Sequence, residues 1–245
     1  MENSLYVGLS RQLVLQRQMD IIANNIANVD TTGFKLESLL EKTDPKAPAA
    51  TAGGPRPVKF VAADGMARDF GQGALRTTGS PLDLAIDGPG FFQVRTPQGD
   101  RFTRDGRFRT DPSGRLITDS GAAVLDEGGG EIVIDAEKGP VSIGVDGTIT
   151  QGRDRVGKVG VVTFANAGAL EKAGDNSFTN ASNLTPQPAA SAKLRQGMLE
   201  GSNVKPVIEI TRMIEVSRAY EQTAKIIDSQ ADLSRQSVQR LGKAE

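Results

Sequence analysis

Glycine and proline divide this chain before any other feature. All 12 prolines fall between Pro45 and Pro206, and 25 of the 28 glycines lie between residues 46 and 202. About 40 residues at each end are nearly free of breakers, whereas the middle is dense in turn formers. The pattern predicts an α+β chain in which N- and C-terminal helices, forming a coiled-coil-like pair or tube layer, bracket a central mainly-β domain. The expected boundaries are 1–40 and 205–245 for the helical part, 41–75 and 196–204 for connecting segments, and 76–195 for the β domain. Residues 43–57, rich in Pro, Ala and Gly, read as a linker.

The N-terminal segment carries Leu5, Gly8, Gln12, Leu15, Met19, Ile22, Ile26 and Val29 at alternating spacings of 3 and 4. That is a helical seam. Thr31, Thr32 and Gly33 supply a stop, with Gly33 suited to a left-handed cap. After Pro206 the C-terminal segment repeats the pattern with Ile210, Met213, Ser217, Tyr220, Ala224, Ile227, Ala231, Ser234, Val238 and Leu241. Such a helix is roughly 50 Å long. An amphipathic stripe of that length needs a partner: the other terminal helix, other subunits, or both. An intramolecular helical hairpin stays open as a reading. Asn24, Asn25 and Asn28 crowd the end of the first helix, where Asn is a poor helix former. Three amides in five positions point to bonds with neighbouring helices or with the following turn. These asparagines, with Leu15, Met19, Ile22, Ile26, Met213, Ser217, Tyr220, Ala224, Ile227, Ala231, Val238 and Leu241 of the two seams, are the candidate subunit interface.

Composition removes whole classes of function. The chain has no His, Cys or Trp, and 29 Lys+Arg face 30 Asp+Glu. Ser-His-Asp and Cys-His catalysis are impossible, as are zinc sites on Cys or His. A net charge of −1 argues against a nucleic-acid binder that works by neutralising phosphates. No apolar run reaches the length of a signal peptide or a membrane span, so neither is expected. No cofactor, metal or small-molecule substrate is expected either.

Three motifs imitate chemistry. Gly152 to Lys158 has phosphate-loop spacing, but Val159 stands where Ser or Thr should hold magnesium, and the following run is strand-like. Asp119, Ser120 and Gly121 imitate an aspartic-protease loop, yet there is no second copy to share a proton; a turn is the better reading. Arg95, Arg101, Arg104, Arg107, Arg109 and Arg115, with Phe102 and Phe108 between them, imitate a nucleic-acid platform interrupted by Asp100, Asp105 and Asp111. Here a three-residue loop, Arg104-Asp105-Gly106 with Gly106 left-handed, is expected to pair Phe102 with Phe108 on one face and Arg101 with Arg109. Further strands are expected at Leu82–Asp87, Phe91–Val94, Ile132–Ile134, Val141–Val145 and Val159–Phe164.

The stretch Ala23 to Lys35, ANNIANVDTTGFK, resembles the signature of flagellar axial proteins, with Ile26 where Leu is commoner. The resemblance continues in order through Leu82 to Phe92 (LDLAIDGPGFF), Phe102 to Phe108 (FTRDGRF), Gly197 to Val204 (GMLEGSNV) and Met213 to Glu221 (MIEVSRAYE). The chain is thus similar to the flagellar basal-body rod family, most of all its proximal-rod members; a distal-rod or other axial subunit is the nearby alternative. What the resemblance implies is a non-catalytic structural subunit. Its partners would be other rod subunits, copies of itself and the flagellar type III export apparatus, which takes such chains without a cleaved signal. Its terminal helices would pack with neighbours into a hollow tube, and Thr31, Gly33 and Phe34 would form the family's turn. Readings from other classes are a dimeric aspartic hydrolase using Asp119 and a self-contained coiled-coil binding module.

Overall fold

The computed structural model describes residues 2–49 and 58–241. Helix α1 (Glu2–Ala27) leads into an antiparallel pair, β1 (Glu37–Ala49) and β2 (Val58–Arg68). Then come β3 (Leu75–Thr77), β4 (Leu84–Asp87), β5 (Phe91–Thr96), β6 (Gly99–Thr103), β7 (Phe108–Thr110), β8 (Leu116–Thr118) and β9 (Ala123–Val124). They are followed by β10 (Val141–Ile143), β11 (Thr148–Gln151), β12 (Asp154–Lys158), β13 (Val161–Thr163), β14 (Glu171–Gly174) and β15 (Ser177–Thr179). Strands β16 (Gln187–Pro188), β17 (Lys193–Gln196) and β18 (Met198–Glu200) precede the long helix α2 (Pro206–Leu241). The terminal helices flank a mainly-β centre, an α+β arrangement.

The chain forms two compact units. A helical unit comprises residues 1–27, 37–68 and 205–245, and a β unit comprises 28–36 and 69–204. The helical unit holds β1 and β2 as well as the helices. The connecting segment expected over 41–75 therefore carries paired strands, with Thr43 opposite Val61 and Ala49 opposite Val58. Backbone pairing needs no apolar alternation, and Pro45 and Pro48 fall where the register shifts between Thr43 and Pro48. Residues 50–57 of the expected linker lie outside the described residues. The segment 196–204 is likewise no connector, because β18 pairs with β3, Met198 opposite Thr77.

Helix α1 stops at Ala27, short of Val29 and of the expected stop at Gly33. Asn28 ends it: the Thr31 N–H donates to the Asn28 carbonyl at 3.2 Å, and the Thr31 hydroxyl to the Asn28 side-chain oxygen at 3.1 Å. Helix α2 starts on Pro206, whose missing N–H costs nothing in a first turn.

In the β unit, the main sheet runs β14-β15-β6-β5-β9-β8-β7, with β13 paired to both β5 and β16. Successive residues on β5 point to opposite faces. Phe92 and Val94 join Leu84, Ile86, Phe108, Leu116, Val124 and Ile149 in one core, while Phe91 joins Phe102, Phe164, Leu170 and Phe178 in another. The expected hairpin at Arg104-Asp105-Gly106 does not form. Strand β6 pairs with β5 and β15, and β7 pairs with β8, so Phe102 and Phe108 enter different cores. Gly106 is required for close approach instead. The Leu84 N–H donates to its carbonyl at 3.0 Å, and a Cβ there would collide with the Leu84 carbonyl oxygen. Ile132 and Ile134 are buried beside isolated bridges, not on a regular strand.

Candidate functional site

In the helical unit, α1 and α2 run antiparallel. Near one end Gly8 faces Ile227, where an added Cβ would come within 2.9 Å of Ile227 Cγ1. Near the other, Asn25 Nδ2 donates to Glu209 Oε2 at 3.1 Å. The expected seam is spent within the chain. Leu15 and Ile22 are buried, and Met19 and Ile26 half-buried. Met213, Ser217, Tyr220, Ala224, Ile227 and Ala231 are all half-buried on α2. Val14 and Ile21, outside the expected row, are also buried and widen the α1 face. Ile210, the first member of the α2 row, is exposed. Val238 and Leu241 lie on α2, their side chains outside those described.

Two further apolar rows remain uncovered. Tyr6, Leu9 and Leu13 step by 3 and 4 along α1 roughly opposite the seam, and Leu13 is 60% exposed. Val207, Ile210 and Ile214 do the same on one flank of α2, where Val207 is 76% exposed. Ile226 and Leu233, seven residues apart, are exposed on its other flank.

The three asparagines separate. Asn25 is fully buried and satisfied inside the unit: its amide donates to the Glu37 carbonyl at 2.8 Å, and its oxygen accepts the Glu37 N–H at 3.1 Å. Glu209 is completed by Arg212 Nη1 at 2.7 Å, and Glu37 by Arg68 Nε at 2.9 Å. Asn24 is exposed on α1, and Asn28 closes the turn after it.

The β unit holds a second polar centre. Gly33 is left-handed, φ +70°, and a Cβ there would lie 2.6 Å from the Arg104 carbonyl carbon and from the Asp105 nitrogen. Its N–H donates to the Glu200 carbonyl at 2.8 Å. Phe34 is buried, with Lys172 Nζ 4.8 Å above its ring. The Glu200 carboxylate then gathers three donors. Lys35 Nζ lies at 2.7 Å and the Gly73 N–H at 2.8 Å on Oε1, and Arg104 Nη1 at 2.9 Å on Oε2. Burial lowers the pKa of both Lys35 and Arg104, and Glu200 opposes that shift. Arg104 Nε is buried without an acceptor. Lys35 and Glu200 lie inside recognised motifs, but no spacing rule marks them as partners 165 residues apart. Arg104 belongs to the arginine run that imitates a nucleic-acid platform, and nothing in the local pattern marks it as buried.

The mimics of chemistry are structural. Asp119 sits in the turn between β8 and β9, where Gly121 has φ +88° and donates to the Thr118 carbonyl at 3.0 Å. Gly152, φ +60°, turns β11 into β12. The remaining platform arginines have partners within the β unit: Arg95 with Asp100, Arg107 with Asp105, Arg115 with Asp111, Arg101 with the Ala173 carbonyl and Arg109 with that of Asp119. Among the described residues no acidic cluster is placed to hold a metal, and no helix is long and apolar enough to cross a membrane.

Three family models match in chain order. They are the flagella basal body rod protein model over residues 5–35, the flagellar hook protein FlgE/F/G D1 domain over 85–151, and the flagellar basal body rod FlgEFG C-terminal model over 195–240. Over 99% of both chains, the sequence is 55% identical to the flagellar basal-body rod protein FlgF of Caulobacter vibrioides. It is 37% identical to FlgF of Mesorhizobium japonicum, again over 99% of both. Against the rod protein FlgG of Bacillus subtilis it is 35% identical, covering 95% of this chain and 97% of the relative. With both helices, the buried Gly33–Lys35 turn and the β unit all inside this full-length similarity, the chain belongs to the flagellar basal-body rod protein family.

Proposed function

We propose that this chain is a structural, non-catalytic subunit of the proximal rod. It polymerises through its terminal helices with copies of itself and with related rod subunits to build a hollow axial shaft. One observation carries the reading beyond the family: after α1 and α2 have closed their seam on each other, Tyr6, Leu9, Leu13, Val207, Ile210 and Ile214 are still exposed. Apolar rows of this kind mark interaction surfaces. Contacts between two different faces of identical chains do not close on themselves, and they extend into filaments.

The seam residues Leu15, Met19, Ile22, Asn25, Ile26, Met213, Ser217, Tyr220, Ala224, Ile227 and Ala231 fix the helix pair. Neighbours then pack on the outer rows. The subunit reaches the basal body through the flagellar type III export apparatus. Complementation of a strain lacking the gene tests this with Leu13→Arg and Ile214→Arg. Both proteins should be made and exported yet leave cells non-motile and without rods. Full motility in both would sink the reading.

A further inference from the structure

We propose that Glu200 is a late-arriving charge lock: it keeps the segment through Leu36 out of the folded chain until β18 has been delivered. Connectivity and burial make the lock, independently of the rod reading. Lys35 and Arg104 are two cations, 0% and 3% exposed at the side chain, and the Glu200 carboxylate is the one that pairs with both; Asp69 adds only a weaker attraction on Lys35. Lys35 otherwise touches the Gly71 carbonyl, and Arg104 the Gly88 carbonyl. Carbonyls solvate a cation but do not neutralise it. Removing that shared anion leaves like charges desolvated side by side, a strongly destabilising way to break a buried ion pair.

That anion comes late. Glu200 follows Lys35 by 165 residues and Arg104 by 96. Any process that delivers the chain from its N-terminus, synthesis included, presents both cations long before their counter-ion. Asp69, Lys172 and Asn176 are available earlier and contact Leu36, Phe34 and Thr32. Docking on those three alone would press Lys35 against Arg104. Two further anchors come later still: Asn203 accepts from the Leu36 N–H and donates to the Phe34 carbonyl, and Glu209 receives Asn25. The pairings of β5 with β6 and β9 use none of the late groups Glu200, Asn203 and Glu209, so that part of the sheet is free to form first. Segment 28–36, stretch 69–73 and β18 then close together in one step.

Hydrogen exchange on the full chain tests this, because the Gly33 N–H donates to the Glu200 backbone carbonyl and the Gly73 N–H to its carboxylate, so both report whether β18 is docked. In Glu200→Gln, exchange at these two amides should accelerate ~100-fold or more, while β5 amides keep their wild-type protection. The Lys35→Met, Glu200→Gln double variant removes one of the two cations and should recover at least tenfold of that loss. During refolding of the wild-type chain, pulse labelling should find Gly33 and Gly73 protected in one phase with Leu199, after β5. Four results would overturn the lock: unchanged exchange in Glu200→Gln, loss of β5 protection along with the two glycines, no recovery in the double variant, or Gly33 protected before or with β5. Should Glu200→Gln fail to fold, the wild-type labelling order decides alone.

Discussion

The two units solve the burial problem in opposite ways. The β unit closes two cores around Phe91 and Phe92 and keeps few apolar side chains outside. The helical unit buries Val14, Leu15, Ile21 and Ile22 on α1, and no apolar side chain on α2 is buried among the described residues. Of thirteen large exposed apolar side chains among the described residues, eleven belong to the helical unit; only Val133 and Val145 belong to the β unit. One unit is finished as a monomer. The other is finished only enough to hold a shape, and it leaves apolar rows uncovered. A rod subunit needs both, since a filament wants many weak lateral contacts between parts that are already stiff.

Substitutions that hit one unit and spare the other break or sharpen the contrast. The largest stability effect belongs to the β core. Phe92→Ala empties a fully buried site that packs edge-on against Phe108 at 5.0 Å, and it should cost ~3–5 kcal/mol in denaturant unfolding. Next is Asn25→Ala, which leaves the Glu37 N–H without its acceptor and removes a donor from Glu209. About 2 kcal/mol is expected, read on the α-helical signal and not on β5 exchange. Gly33→Ala demands a left-handed alanine pressed against the backbone of Arg104 and Asp105, with a cost of ~1–3 kcal/mol in the same denaturant assay. Leu13→Arg should shift stability by less than ~0.5 kcal/mol and yet abolish assembly in the complementation assay.

The smallest effect is one of pH. The Thr148 hydroxyl and then its N–H hold the Asp146 carboxyl below its ordinary value of 3.8. A lowered folded pKa gives stability that is present above the unfolded value and lost as pH falls through the folded one. Thr148→Val should flatten that acid limb slightly in thermal melts between pH 2 and pH 5.

The contrast also explains what was legible beforehand. Helices read well because their signal is local: Leu15, Ile22, Met213 and Tyr220 show their period to anyone counting by threes and fours. What periodicity left open was whose surface the seam meets, and the structure gives it to the same chain. Strand pairing was harder. Phe102 and Phe108 flank a plausible turn, and only the competing partners β15 and β8 reveal that they belong to separate cores. The hairpin β1–β2 was hidden because its prolines and alanines resemble a linker, while its ladder rests on backbone groups that composition does not report. The Glu200 centre was least legible of all. Its members are ordinary motif or surface residues until the chain folds and brings positions 35, 104 and 200 together.

The most direct test of the division of labour exploits the absence of cysteine in the native chain. Single cysteines placed at positions 9, 13, 207 and 214 would be reacted with a maleimide in the purified subunit and again in isolated basal bodies, with position 145 as the reference. All five should label in the free subunit. In the assembled rod the four helical positions should lose labelling at least tenfold relative to position 145. Equal labelling of all five positions in both states would contradict the account, because the exposed rows would then face solvent in the rod as they do in the free chain.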